Sequence, residues 1–126
     1  MYSNNQFVTQ AKATLAVSAF TIVAKDTVDG CVIPAIVTGT VKMVGIAPNY
    51  DTALGAMLPI TTGGVAQVKL GGSVSAGDIL TNDTNGYAIT ATNFSANKYN
   101  TIGVANRSGS TSDIIPILVL PQNYAW

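Results

Sequence analysis

The carboxylates are the side chains of this chain that could do acid–base chemistry, and two of them have a regular spacing. Asp26 and Asp83 occupy equivalent positions of two similar stretches, 57 residues apart (83 − 26). A pair of aspartates can work as acid and base when their carboxyl groups converge. Each of these residues, however, precedes a turn, where aspartate commonly accepts hydrogen bonds from its own backbone. We therefore interpret them, together with Gly30, Asn85 and Gly86, as structural turn residues.

The other reactive residue types also point away from catalysis and from bound metals. The chain has no histidine, which removes the usual general base, the nucleophile–histidine pairs and most zinc sites. The single cysteine, Cys31, lies beside Val32 and Ile33 and is interpreted as a small core residue. Asp83-Thr84-Asn85-Gly86 resembles the start of a calcium loop but lacks the later acidic ligand. We expect no enzyme activity, no catalytic residue, no metal and no cofactor.

Low charge is the main feature of the composition. Among 126 residues, charged side chains make up 10%, and 6 basic residues balance 6 acidic ones. Binding to nucleic acid requires clustered positive charge, and binding to membrane surfaces requires a basic amphipathic stretch, so we expect neither partner. The first residues lack the pattern of a secretory signal, and no apolar run has the length of a transmembrane helix, so we expect synthesis in the cytoplasm. With so little net charge, the chain is expected to function within a larger assembly.

The stretch from Gly71 to Ala91 contains residues that favour turns between short strands. It reads as a glycine corner, a short strand, a tight turn and a second strand. Asn85-Gly86 favours a two-residue hairpin turn, because such turns need positive φ at both central residues. We therefore predict a hairpin centred on Asn85 and Gly86.

The same pattern occurs a second time upstream, which indicates a duplication. Three groups of residues match at nearly constant spacing: Val17-Ser18-Ala19 with Val74-Ser75-Ala76, Asp26-Thr27 with Asp83-Thr84, and Val44-Gly45-Ile46-Ala47 with Ile102-Gly103-Val104-Ala105. Solenoid folds usually need more copies than two, so a pseudo-symmetric single domain is favoured. We predict pseudo-repeats over about residues 12–70 and 71–120, preceded by an arm at 1–11 and followed by a tail at 121–126.

The strands expected from these repeats make an all-β fold. About ten short apolar stretches alternate with Gly, Pro and Asn, which is typical of a compact sandwich or barrel, here with extended terminal segments. A helix competes over residues 11–20, but the glycines of the second copy favour strand there. Pro34 predicts either an edge strand or a bulge for the strand that follows Gly30. Few charges are available to protect sheet edges, so we expect the chain to oligomerise.

The longest stretch without strand character runs from Pro48 to Gly64 and includes ALGAML, which could form one short helical turn. Its counterpart in the second copy, Arg107 to Asp113, is much shorter. Because loops that differ between copies often carry special contacts, we expect this loop and both termini to contact a partner. The candidate contact residues are Tyr2, Phe7, Tyr50, Leu54, Met57, Tyr124 and Trp126.

Five short motifs carry a resemblance to a known family. They are Val65–Leu70, Ser75-Ala76-Gly77-Asp78, Asp83-Thr84-Asn85-Gly86, Gly103-Val104-Ala105 and Ile114–Leu120. Together they resemble the capsid decoration proteins of tailed bacteriophages, also called cement or head-stabilising proteins. The likeness covers most of residues 12–120. It implies a structural virion protein that is synthesised in the host cytoplasm and binds the outer surface of the capsid.

The resemblance further implies how such a protein would act. Copies would associate as homotrimers and bridge neighbouring subunits of the major capsid protein. Many copies of a modest interface would then raise the resistance of the shell to internal pressure through multivalency. The family offers no catalytic residue to transfer to this sequence.

A second interpretation from a different class stays open, namely a carbohydrate-binding or adhesive β module of a phage fibre or a cell surface. The aromatic residues Tyr50, Phe94, Tyr99 and Trp126, within a chain rich in Thr, Asn and Gly, would permit a sugar-binding platform. An exposed groove lined by these aromatic residues would favour this interpretation, and their burial in subunit interfaces would weaken it. The pattern is also compatible with a β domain of other function.

Overall fold

The computed structural model describes residues 6–26, 30–36, 42–91 and 100–122, and these residues contain nine β-strands. No helix occurs in these residues, which confirms the all-β prediction and excludes the helix considered for residues 11–20. The strands are β1 (Gln6–Ala13), β2 (Ile22–Lys25), β3 (Cys31–Pro34), β4 (Met43–Ile46), β5 (Met57–Lys69), β6 (Ile79–Asn82), β7 (Ala88–Thr90), β8 (Thr101–Ala105) and β9 (Ile114–Gln122).

One continuous sheet holds all the strands, in the order β1-β3-β2-β4-β5-β9-β8-β6-β7. Strand β1 also pairs with β5, so the first five strands close into a barrel. The named strands pair antiparallel, except β1 and β3, in which Lys12 and Cys31 are parallel partners. Closure of this kind removes sheet edges, which would otherwise leave backbone groups unpaired.

The long strand β5 belongs to both halves of the molecule. Its first part pairs with β1 and its second part with β9, so that Lys12 lies opposite Met57 and Lys69 lies opposite Ile114. The second pair lies 57 residues beyond the first (69 − 12 and 114 − 57). We define unit 1 as residues 6–63 and unit 2 as residues 64–122. The structural repeat thus divides inside β5 rather than after residue 70, and the described part of the expected N-terminal arm is a strand of unit 1.

Unit 2 repeats the closure of unit 1 in a shorter form. Ala13 and Val32 are parallel partners in unit 1, and the equivalent Leu70 and Ala88 form a parallel bridge in unit 2. Beside this bridge, the N–H of Gly71 donates a hydrogen bond to the carbonyl of Ala88 at 2.9 Å. Each unit is therefore a five-stranded β structure, and β5 contributes one strand to each.

Each unit packs its own core at equivalent positions. In unit 1 the buried core residues are Ala11, Ala13, Val17, Val23, Val32, Ala47, Leu58 and Ile60. Their equivalents in unit 2 are Val68, Leu70, Val74, Leu80, Ala88, Ala105, Ile115 and Ile117. Removal of these side chains from water supplies the dominant favourable contribution to folding.

A second face of unit 1 packs against unit 2. The apolar residues on this face belong to the same buried cluster as the unit 2 core, and they are Ile22, Ala24, Ala35, Met43 and Ile46. Hydrogen bonds join the units at the same place. The carbonyl of Gly86 accepts from the N–H of Ile22 at 2.8 Å, and the carbonyl of Ala35 accepts from Nδ2 of Asn82 at 2.7 Å. The β6–β7 hairpin is thus both a part of unit 2 and its link to unit 1.

The β6–β7 hairpin differs from the predicted two-residue turn. Five residues, 83–87, connect the two strands. Gly86 has a φ of +81°, but Asn85 does not take a positive φ. The physical reason is Asp83, whose Oδ1 accepts hydrogen bonds from the N–H groups of Asn85 at 2.8 Å and Tyr87 at 2.9 Å. These bonds stabilise a wider loop than the Asn-Gly pair alone would form.

Strand β3 also departs from the sequence prediction. Gly30, with a φ of +76°, precedes it, and residues 27–29 lie outside the described part of the chain. The strand lies between β1 and β2 without a shift of register, so the prediction of an edge strand or a bulge at Pro34 is wrong. The proline is accommodated because it is the last residue of β3, beyond Cys31 and Val32, which pair with β1.

The stretch from Pro48 to Gly64 is not irregular throughout, because β5 begins at Met57. The connection before β5, residues 47–56, is close in length to residues 106–113 before β9. The expected difference in loop length between the two copies is therefore wrong as well. The proline and glycines of PITTGG suggest a loop in the sequence, but pairing with β1 holds this segment extended.

Candidate interaction surface

Exposed apolar side chains occur in two loops of unit 1 and at the start of β5. Tyr50, Leu54 and Met57 are 51%, 66% and 59% exposed. Leu15, in the loop after β1, is also exposed and was not among the residues that the sequence indicated. We call these four residues, Leu15, Tyr50, Leu54 and Met57, the apolar end.

Hydrogen bonds hold the two loops of the apolar end side by side. Val17 and Thr52 exchange backbone hydrogen bonds of 2.9 and 2.8 Å, and the N–H of Gly55 donates to the carbonyl of Ala13 at 2.7 Å. The ALGAML segment forms a turn and the start of β5 rather than a helical turn. The exposed leucines are therefore presented by backbone that is tied to the barrel.

Unit 2 has the same loops with different residues at their tips. Val74 and Gly109, the equivalents of Val17 and Thr52, exchange hydrogen bonds of 2.9 and 3.0 Å. The positions equivalent to the apolar end carry Gly72, Arg107, Thr111 and Ile114. Because the same backbone forms with glycine, arginine and threonine at three of these positions, folding does not require the apolar side chains of Leu15, Tyr50 and Leu54. Exposed apolar groups that folding does not require are typical of a binding surface.

The terminal candidates fall largely outside the described residues. Tyr2, Tyr124 and Trp126 all lie there. Phe7 lies in β1, where its backbone pairs with Gly63, and its side chain is outside the described part. Contacts made by these residues stay predictions.

A second exposed apolar surface lies on the sheet of unit 2. Val65, Leu118, Val104 and Ile79 are successive cross-strand partners on β5, β9, β8 and β6, so their side chains share one face. Val65, Leu118 and Ile79 are 40%, 38% and 43% exposed, and Val104 is half-buried. We call these four residues the apolar row.

The sequence pattern places the apolar row in strands but does not by itself mark it as a surface. A usable signal is present in β9, where apolar residues occupy both faces from Ile114 to Leu120. A strand with one face in water normally alternates apolar and polar residues. An unbroken apolar strand at the surface therefore indicates that its outer face is covered by something.

The aspartates stabilise loops and the sheet. Oδ2 of Asp78 accepts hydrogen bonds from the N–H of Ser75 and the hydroxyl of Thr90, each at 3.0 Å. Oδ2 of Asp26 accepts from the hydroxyl of Thr14 at 2.6 Å. Within the described ranges, no group of three or more His, Cys, Asp or Glu side chains could hold a metal ion. The same ranges contain no helix that is long and apolar enough to cross a membrane.

A groove of about 450 Å³ is lined mainly by residues of unit 1, together with Ala66 and Gln67 of β5. Its walls are uncharged, and Phe20 is the aromatic residue among them, so the groove offers no group for acid–base chemistry. Tyr50 lies on the apolar end rather than in this groove. Phe94, Tyr99 and Trp126 lie outside the described residues. The carbohydrate-binding interpretation therefore stays a prediction.

The fold and these surfaces define an all-β protein of two five-stranded units that share one long strand. No protein-family model matches the sequence, and no curated protein matches it. Among solved structures, the chain is similar to the crystal structure of head fiber gp8.5 N base in bacteriophage phi29. The TM-score is 0.62 at 19% sequence identity, and the match covers 91% of this chain and 94% of that chain. The two proteins therefore share a fold over nearly their whole length.

The similar structure is that of a bacteriophage head fiber. The family that the sequence motifs resemble, the capsid decoration proteins, is likewise a family of phage structural proteins. At 19% identity the comparison concerns the fold. Capsid decoration and trimer formation stay predictions.

Proposed function

We propose that this chain is a structural protein of a tailed-bacteriophage virion and attaches to the outer surface of the capsid. The observation that carries this proposal is the fold shared with the phi29 head fiber base over 91% of the chain. The absence of histidine and the low charge of the sequence fit a structural role rather than an enzymatic one. The proposed location is the capsid surface, reached after synthesis in the host cytoplasm.

The proposed contact with the shell is the apolar end of unit 1. Leu54 and Met57 are large and mostly exposed, whereas the position equivalent to Leu54 in unit 2 carries Thr111. A leucine or methionine side chain that becomes fully buried contributes about 1.5–3 kcal/mol. Part of this gain offsets the entropy lost on association. The remainder from a few such side chains is enough for a modest interface.

The proposed mechanism is mechanical. Each oligomer would link neighbouring subunits of the major capsid protein and so resist their separation. Single contacts can be weak, because several contacts made by one homotrimer act at high effective concentration. Nucleic acid and membranes are not proposed partners, and the mechanism uses no cofactor.

Co-sedimentation with undecorated capsids of the phage that encodes the chain tests the shell contact. Leu54→Lys should lower the apparent capsid affinity by about tenfold or more, because it places a charge in an apolar contact. Thr111→Lys is the matched control, because it adds the same charge at the equivalent loop of unit 2, and it should bind like the natural chain. Equal binding of both variants would show that the apolar end is not the contact with the shell. Absence of binding by the natural chain would contradict the capsid role itself.

Shell stabilisation is measured separately from binding. DNA-filled heads with and without the chain are heated, and the temperature of DNA release is recorded. The proposal expects a higher release temperature for the decorated heads. Binding without a rise in the release temperature would indicate that the chain attaches to the shell but does not reinforce it.

A further inference from the structure

The apolar row of unit 2 has an equivalent in unit 1. Both rows run across four strands that are equivalent in the repeat and are connected by the same register pairs. Val8, Thr61, Ile46 and Ile22 in unit 1 match Val65, Leu118, Val104 and Ile79 in unit 2. The duplication has therefore placed the same strip of sheet surface on the molecule twice.

Unit 2 covers part of the strip in unit 1. Ile22 and Ile46 are 0% and 1% exposed, and they belong to the buried cluster that contains the unit 2 core. Strand β4 packs against β8 and β9, and the N–H of Ile22 reaches the carbonyl of Gly86 at 2.8 Å. The fold thus already contains one interface in which this strip packs against a unit of the same fold.

Within the described residues, the strip of unit 2 is left open. Ile79 is 43% exposed, although it occupies the position of the fully buried Ile22. Leu120, two residues beyond Leu118 on the same face of β9, extends the exposed surface. Strands β6, β8 and β9 carry no charged side chain that would favour contact with water. An exposed apolar strip of this kind marks a protein interface.

We propose that the apolar row is the surface through which this chain associates with a second copy of itself. The interface inside the chain supports this choice of partner, because there Ile22 and Ile46 of the equivalent strip are covered by a unit of this fold. The row has no charge that would select an oppositely charged partner, and the net charge of the chain is zero. The inference rests on the self-association included in the proposed function and names its surface, while the apolar end remains the contact with the shell.

Analytical ultracentrifugation of the full chain over a range of concentrations tests this inference. The natural chain should form an oligomer that dissociates on dilution. Leu118→Lys should raise the dissociation constant of this oligomer by about tenfold or more, because it buries a charge in an apolar contact. Leu54→Lys is the matched control on the apolar end and should leave the dissociation constant unchanged.

A second variant allows the inference to be tested even if Leu118→Lys does not fold. Val65→Thr combined with Ile79→Thr keeps β-branched side chains on two exposed strand positions, but replaces a methyl group of Val65 and the ethyl group of Ile79 by hydroxyl groups. It should also weaken the oligomer, and it decides the result if circular dichroism shows that Leu118→Lys is unfolded.

The outcomes separate this inference from the proposed function. Folded row variants with the dissociation constant of the natural chain would overturn the row as the interface, while the oligomer itself would stand. A natural chain that is monomeric at every concentration would overturn self-association. The shell contact would still be tested independently by capsid co-sedimentation. Row variants that lose capsid binding but keep their oligomer would assign the row to the shell and likewise overturn the inference.

Discussion

Gly45 and Gly103 occupy the same place in the two units, and at each a backbone carbonyl fills the space that a β-carbon would need. The carbonyl belongs to Thr61 at Gly45 and to Leu118 at Gly103. Both glycines therefore mark a close approach of two neighbouring strands, β4 to β5 and β8 to β9. This approach explains why Gly-Ile-Ala in unit 1 is repeated as Gly-Val-Ala in unit 2.

Replacement of Gly103 by alanine should lower the free energy of unfolding by about 1–3 kcal/mol, because the strands must separate to admit the methyl group. Gly72→Ala is the control, since the nearest atom to its added β-carbon, Cγ2 of Ile89, lies at 3.8 Å. That variant should stay within about 0.5 kcal/mol of the natural chain. Urea denaturation measures both, and equal midpoints would contradict the close approach.

Substitution of Gly77 should also lower stability, but for a different reason. Its φ is +91°, and no atom lies within 4 Å of an added β-carbon, so the cost of substitution is conformational and not a matter of space. Gly77→Ala should cost about 1–2 kcal/mol, whereas Gly77→Asn should cost less, because asparagine visits this region more readily. Thermal unfolding of the two variants gives the comparison. An alanine variant as stable as the asparagine variant would show that the loop adopts another conformation.

The duplication could be predicted from the sequence because its turns and close approaches each require particular residue types. Val17 and Val74 make the same isolated bridge in the two units, as their shared Val-Ser-Ala motif suggests. The boundary between the repeats could not be found in the same way. It lies inside β5, where Pro59 and the following glycines imitate a loop and only pairing with β1 shows a strand.

The candidate surfaces were harder to predict, because burial depends on what lies next to a residue. Ile22 and Ile79 are the same residue type at equivalent positions, yet the first is buried by unit 2 and the second is exposed. Periodicity assigns both to a strand and cannot distinguish them. By contrast, the sequence indicates Leu54 and Met57 because they lie between Pro48 and Gly64, the longest stretch without strand character.

Asn82 should be important for the junction between the units. It is fully buried, and its Nδ2 donates to the carbonyl of Ala35 at 2.7 Å. Asn82→Leu keeps a similar volume but removes the donor, which should cost about 1–3 kcal/mol for the unpaired carbonyl. Asn106→Leu, at an exposed position, is the control and should change stability by no more than about 0.5 kcal/mol. Two equally stable variants in urea denaturation would show that the junction does not depend on this bond.

Asp83 should control the local stability of the β6–β7 hairpin. Its Oδ1 accepts from the N–H groups of Asn85 and Tyr87, and its Oδ2 lies against Gly71. Asp83→Ala should lower the free energy of unfolding by about 1–2 kcal/mol and speed amide exchange at Asn85 and Tyr87, since both donors lose their acceptor. Asp83→Asn should behave closer to the natural chain, because its amide oxygen can accept the same two bonds. Amide exchange followed by NMR distinguishes this local effect from general destabilisation, which would speed exchange throughout unit 2. Slow exchange at both amides in Asp83→Ala would mean that the backbone alone holds the hairpin.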